Sequence, residues 1–317
     1  MTENTGYDII GDVHGHAEQL EALLHKLDYR MHAGAWRHPE RRAIFLGDLI
    51  DRGPKQLETV DIVRRMVDAG HAQAVMGNHE FNAIAWGTHD DHGRPLRAHS
   101  EKNRNQHKAF LAAVDGKPAL HRELLDWFLN RPLWLELDGI NIVHACWHTD
   151  YMARFGARLR PGNRLGVDLL NEAATRPEEG AAETLFHAVE TCLKGLEAPL
   201  PEEFSFPDKE GHPRREVRVR WWDHDATHFR TAAVIEEHLR VTLPTLPLPP
   251  AARYRYPCAK PVFFGHYWMQ GDPAIQSPAA ACVDFSVAKR GKLVAYRWNG
   301  EAQLSDHAFL HVESASG

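Results

Sequence analysis

The chain has 317 residues, 43% of them hydrophobic, and carries a formal net charge of -6, which allows a large buried core and excludes the basic footprint of a nucleic-acid-binding protein. Its four cysteines, Cys146, Cys192, Cys258 and Cys282, are widely spaced and form no CxxC pair, so a disulfide framework is excluded and a reducing cytoplasm is expected. The start MTENTGYDIIGDVHG has no basic and apolar leader pattern, and no uncharged stretch of about 18 residues occurs, so neither secretion nor membrane insertion is expected.

An apolar run at 7–12 ends in Gly11-Asp12, and Leu20, Leu23, Leu24 and Leu27 follow at helical spacing, predicting a strand and then a helix. The pattern recurs with 43–46 ahead of Gly47-Asp48, followed by Leu57, Val60, Ile62, Val63 and Met66, and again with 72–76 ahead of Gly77-Asn78. Such strand–helix units predict an α/β sheet, in which ligands gather at the carboxyl ends of strands. The polar stretch 87–106, rich in His, Asp and Arg, reads as solvated surface or substrate rim, and a helix is predicted at 107–114. Asp138-Gly139, between apolar runs at 133–137 and 140–143, is a hairpin signal, so two antiparallel strands are expected to end at His144. Residues 150–257 change character, with helical patterns at 169–174 and 181–196 and a Pro-rich TLPTLPLPP, and are expected to form an insertion packed over the motif side of the sheet. Strands at 262–264, 280–285 and 292–298 complete a single domain over 1–317.

The chemistry lies in the Gly-polar motifs. In GDVHG (11–15), Asp12 and His14 are one residue apart, so on an extended strand end both side chains point the same way, toward one metal. In GDLIDRG (47–53), Asp48 offers two oxygens able to bridge a pair of cations, and Asp51 and Arg52 follow; an arginine fork beside a metal matches two phosphate oxygens. In GNHE (77–80), Asn78 offers a neutral oxygen, His79 is free for proton transfer with Asp51 to orient it, and Glu80 fixes the loop. His144 and His266 each follow an apolar strand. Each signal alone suits a structural residue, but strand ends delivering Asp, His, Asp, Asn, His and His together describe a metal site, because burying such groups without partners is costly. Mixed oxygen and nitrogen donors suit Mn²⁺, Fe or Zn²⁺. Cys146 is read as inert packing rather than a nucleophile, and most of Trp147, Trp221, Trp222 and Trp268 as core.

GDVHG, GDLIDRG and GNHE resemble the signatures of the phosphoprotein phosphatase branch of the calcineurin-like metallophosphoesterases, closely over 7–80 and loosely over the rest. The resemblance implies an α/β fold of mixed β-sheets with a β-sandwich core, flanked by helices. It implies two divalent metal ions, Mn²⁺ first among the candidates, with Asp12, His14 and Asp48 on one and Asp48, Asn78, His144 and His266 on the other. His79 is implied as general acid, paired with Asp51, and Arg52 as a phosphate clamp, with Asn78 also reaching substrate. The RWWDHD run at 220–225 resembles the family segment ahead of a second phosphate-binding arginine, which makes Arg230 the candidate, with Arg158, Arg160 and Arg164 as alternatives. His144-Ala145-Cys146 departs from the His-Gly-Gly or His-Ala-Gly of the family. The activity implied is hydrolysis of a phosphomonoester or phosphoanhydride by a metal-activated water, on a phosphoprotein or a nucleotide, with no membrane or nucleic-acid partner. Gly265-His266-Tyr267-Trp268 lacks the second histidine of the phosphodiesterase and nuclease branch, and a catalytically silent binding module would be expected to have lost one of these residues.

Overall fold

The computed structural model describes residues 6–178, 182–207 and 213–314; position 181, at the edge of a predicted helix, lies outside them. Gly6–Ile10, Arg41–Phe45 and Ala72–Ala74 are parallel strands, with Ile10 opposite Phe45 and Phe45 opposite Ala74. The helices that connect them, Ala17–Lys26 and Gln56–Asp68, bury Leu20, Leu23 and Leu24 on one and Val60, Val63 and Met66 on the other, the apolar stripe that seats a helix on a sheet. Lys292–Trp298 pairs antiparallel with Gly6–Ile10 and is joined by Asp284–Phe285 and Phe309–Glu313, completing a six-stranded mixed sheet. A second sheet runs in the order Ala280–Cys282, Val262–Phe264, Asn141–Val143, Trp134–Glu136. Ile9, Ile44 and Tyr296 of the first sheet meet Ile142, Phe263 and Ala281 of the second in one buried cluster. The α/β fold with mixed sheets and a sandwich core is therefore the observed one.

The predicted hairpin forms as its turn residues dictate. Trp134 stands opposite Val143 and Glu136 opposite Asn141, Leu137 donates its amide to the Ile140 carbonyl at 2.9 Å, and Gly139 takes φ +83°. The predicted strand at 280–285 is divided at Val283: Ala280–Cys282 belongs to the second sheet and Asp284–Phe285 to the first. The Val283 amide still donates to Phe264 O at 2.8 Å, which keeps it paired where the chain crosses between sheets.

The helix predicted at 107–114 starts earlier, as Glu101–Val114, because the Ser100 hydroxyl caps it by accepting from the Asn103 amide. Ahead of it the polar stretch folds on itself: Asp90 accepts from the amides of His92 and Arg94 and pairs with the Arg94 guanidinium, and His99 stacks on Trp86 with ring centroids 3.8 Å apart. Between 150 and 257 the described residues include helices Leu170–Ala174 and Leu185–Lys194 and the antiparallel pair Glu197–Pro199 and Glu216–Arg218. This segment meets the sandwich just beyond Asn141–Val143, where Ala145 donates to Cys192 O at 2.8 Å and Trp221 Nε1 donates to Ala145 O at 3.1 Å. Trp147, Trp221 and Trp222 are buried and the cysteines are free. Among the described residues no helix is long and apolar enough to cross a membrane.

Candidate active site

The Gly47 and Gly77 motifs can touch because neither glycine carries a side chain. A Cβ on Gly47, whose φ is +91°, would lie 2.3 Å from the Gly77 amide nitrogen, and one on Gly77 would lie 2.2 Å from that of Asp48. Gly77 also caps the helix Asn78–Gly87, and Glu80 in its first turn accepts from the amides of Gly77 (3.0 Å), Asp48 (2.8 Å) and Leu49 (2.8 Å), tying two strand ends together. His14, Asp48, Asp51, Arg52 and His266 all have φ between +48° and +73°. That left-handed backbone costs a non-glycine residue about 1–3 kcal/mol, and strain of this kind concentrates at functional sites.

The side chains that result point acceptor atoms at one another. His144 Nδ1 donates to Leu46 O at 2.6 Å, so Nε2 of the neutral ring is a lone pair; it nevertheless stands 3.1 Å from Asn78 Oδ1 and 3.5 Å from Asp48 Oδ1. His14 repeats the arrangement: Nδ1 donates to Ile50 O at 2.8 Å, and Nε2, buried without a hydrogen bond among the described residues, lies 3.6 Å from Asp48 Oδ2. His266 Nδ1 is 2.8 Å from Asn78 Oδ1, while its Nε2 and Asp12 Oδ1 are buried with no hydrogen bond among the described residues. Burial, then the nearby carboxylates of Asp284 and Asp48, push Asp12 well above the usual carboxylate range. Converging lone pairs and crowded carboxylates are what a divalent cation neutralises, and carbonyl partners on the far nitrogens fix the tautomers a metal needs. The residues present therefore fit a metal centre, with one candidate group around His14, Asp48 and His79 and another around Asp48, His144 and His266.

Beside this pocket His79 Nδ1 is 2.6 Å from Asp51 Oδ2, and its Nε2 lies 3.9 Å from Asp48 Oδ2. The His79 amide donates to Asp48 Oδ1 at 2.9 Å. Asp51 has a second imidazole that the sequence reading missed: His107 Nδ1 lies 2.9 Å and 3.0 Å from its two oxygens. The signal available was the buried face His107, Phe110 and Val114 of an otherwise polar helix. Arg52 is exposed, with its guanidinium 4.5 Å from the Trp268 ring centroid, and it opens on a groove of about 580 Å³ along Glu101–Val114.

The remaining arginines are spread out. Arg230 is exposed and its Nε donates to Leu243 O at 2.6 Å. Arg158 is paired with Glu172, Arg160 is bridged through its backbone to Arg164, and Arg164 Nε donates to Pro161 O at 2.9 Å. Arg218, unremarked in the sequence, has a buried Nε without a hydrogen bond among the described residues, 3.7 Å from Glu197 Oε1, and its charge, after burial, is the next influence holding His266 well below its ordinary value. Burial raises the Cys146 thiol far above its usual range, as inert packing requires.

The histidines make a pH prediction for the metal-free protein. Burial, and then His79, push His14 from 6.5 down to about 3, and burial also lowers His144 and His266. For a depressed group the unfolded chain takes up the proton first, so stability is full above the unfolded value and is lost as pH falls toward the folded one. Each such histidine contributes a slope of up to about 1.4 kcal/mol per pH unit in that window. Urea unfolding of chelator-treated protein at about pH 7 and about pH 5.5 should show this loss, and His14→Asn should flatten it. Identical slopes for the two proteins would contradict the assignment.

Comparison with known proteins agrees with this geometry. The family model described as calcineurin-like phosphoesterase matches residues 7–224. The chain is 31% identical over 139 residues to the asymmetrical bis(5'-nucleosyl)-tetraphosphatase PrpE of Oceanobacillus iheyensis, covering 44% of this chain and 54% of that protein. It is 34% identical over 138 residues to a symmetrical bis(5'-nucleosyl)-tetraphosphatase of Vibrio cholerae, covering 43% of each. The chain thus spans about half the length of the curated relatives it matches. Among solved structures, a protein serine/threonine phosphatase from Saccharomyces cerevisiae aligns with TM-score 0.52 at 13% identity, over 100% of this chain and 81% of that one, a likeness of fold. With the family model spanning more than half of the chain and every strand-end motif but that of His266, the chain belongs to the calcineurin-like phosphoesterase family.

Proposed function

We propose that the chain is a two-metal phosphohydrolase that cleaves a phosphoanhydride bond of a dinucleoside polyphosphate, with the phosphomonoester of a phosphoprotein as the competing substrate. The observation that carries this reading is the convergence of acceptor atoms from Asp12, His14, Asp48, Asn78, His144 and His266 beside an imidazole oriented by a carboxylate. The tetraphosphatase names of the relatives support the choice of substrate class.

In this reading Asp12, His14 and Asp48 would hold one cation and Asp48, Asn78, His144 and His266 the other, with Mn²⁺ expected and Fe or Zn²⁺ compatible with the donors. When bound, the pair supplies Lewis-acid charge and brings the pKa of a water toward neutrality. Arg52 grips two phosphate oxygens through its planar fork, and the Asn78 amide meets the same phosphate. Asp51 accepts a hydrogen bond from Nδ1–H of His79 and favours the imidazolium form of the ring, so that Nε2–H can give its proton to the leaving oxygen and leave a neutral imidazole. Arg230 remains the candidate for a second phosphate contact, although its Nε is turned to Leu243 O, and Arg218, held 3.7 Å from Glu197 Oε1, is the alternative. The 150–257 segment acts as a cap on a single domain, in the cytoplasm, without membrane or nucleic-acid partner.

Chelator-treated protein resupplied with Mn²⁺ and given equimolar diadenosine tetraphosphate and phosphopeptide is expected to consume the tetraphosphate, yielding two ADP by symmetrical cleavage or ATP and AMP by asymmetrical cleavage. Preferential release of phosphate from the peptide would overturn the substrate class. Metal binding without hydrolysis of either would overturn the activity.

A further inference from the structure

We propose that His107 is a positioning residue for proton transfer: from the buried face of Glu101–Val114 it locks the Asp51 carboxylate in the one orientation that aims His79 at the leaving group. The proposal rests on the reading of His79 as general acid.

A carboxylate held by a single partner can turn about its own axis. His79 Nδ1 engages Asp51 Oδ2 at 2.6 Å, which alone leaves Oδ1 free to rotate. His107 Nδ1 lies 2.9 Å from Oδ1 and 3.0 Å from Oδ2, so one donor spans both oxygens and fixes that rotation. The backbone of the same residue is fixed by Gln56, which accepts the Asp51 amide at 2.6 Å and donates to Gly53 O at 2.6 Å. A carboxylate only accepts, so both imidazoles present Nδ1–H to it, and Nε2 of His79 is left on the side of Asp48, 3.9 Å from its Oδ2.

The competing explanation is a core histidine with no task. His107 is 3% exposed, packs on Phe110 with ring centroids 5.2 Å apart, and has an Nε2 with no hydrogen bond among the described residues. A phenylalanine would fill that space without leaving a polar atom unsatisfied, which costs about 1–3 kcal/mol. The cost is accounted for by the Asp51 contact, since burial works against ionised Asp51 and the hydrogen bonds from His107 and then His79 hold it well below the usual carboxylate range.

The test compares His107→Phe, which keeps a ring and removes the donor, with His107→Asn, whose amide nitrogen can take the place of Nδ1. In metal-free protein labelled at histidine nitrogen, NMR of the His79 Nδ1–H proton is expected to show its carboxylate hydrogen bond lost or shifted in His107→Phe and restored in His107→Asn. With Mn²⁺ and diadenosine tetraphosphate, kcat should fall roughly 10- to 100-fold in the Phe variant with KM unchanged, and recover in the Asn variant. Should the Phe variant not fold, His107→Gln, whose donor is displaced by one bond, serves in its place. An unchanged His79 signal in a folded variant lacking the donor overturns the proposal. Unchanged kcat in His79→Asn would instead remove the acid reading, leaving the NMR comparison to decide whether His107 orients the ring.

Discussion

Asp48→Asn is expected to abolish metal-dependent turnover, with a loss of about 10³-fold or more, because both candidate metal groups draw on its carboxylate. Its Oδ2 faces His14 Nε2 at 3.6 Å and its Oδ1 faces His144 Nε2 at 3.5 Å, so an amide removes charge from both sides at once. The same change relieves the metal-free protein. An amide nitrogen can donate to an imidazole lone pair that now meets only another acceptor, and it removes a charge that pushes Asp12 and Glu80 upward. Chelator-treated Asp48→Asn is therefore expected to melt at or above the wild-type temperature while binding less Mn²⁺. Wild-type turnover in this variant, or wild-type metal content with a lower melting temperature, would contradict the bridging role proposed for Asp48.

His79→Asn separates two readings of one imidazole. Nε2 of His79 is near enough to Asp48 Oδ2, at 3.9 Å, to belong to a metal group, while Nδ1 is committed to Asp51. An asparagine keeps a donor for Asp51 and loses Nε2. For a general acid, kcat should fall by about 10²–10⁴-fold with metal content unchanged, and most for substrates whose leaving group holds its proton tightly. Loss of a bound ion on the same substitution would make His79 a ligand instead. Metal analysis and kcat on the same preparation distinguish the two outcomes.

The sequence was most legible where chemistry and backbone are coupled over a few residues. A glycine followed by Asp or Asn at a strand end marks both a turn the backbone requires and a side chain that the turn presents, so the Asp12, Asp48 and Asn78 motifs could be located without the fold. The Asp138-Gly139 hairpin was legible for the same local reason. The division at Val283 was not, because a continuous apolar run looks the same whether it stays in one sheet or changes partners. Nor was the strand Phe309–Glu313 or the helix Pro118–Leu129 anticipated, since each is half-covered by neighbours that only the assembled sheet and helices supply. His107 and Arg218 were missed because their partners are distant in sequence: the spacing of His107, Phe110 and Val114 marks a buried face but not what that face meets. His107 is brought to Asp51 by helix packing across 56 positions, and Arg218 is placed by the short pairing of Glu216–Arg218 with Glu197–Pro199.

The most direct measurement reads metal and chemistry together: chelator-treated protein is titrated with Mn²⁺ while bound metal and the rate of diadenosine tetraphosphate hydrolysis are followed in the same samples. Two ions per chain are expected, with hydrolysis rising only as the second is taken up. Saturation by one ion with full activity, or full-rate hydrolysis with the metal still chelated, would contradict a two-metal site built on Asp48.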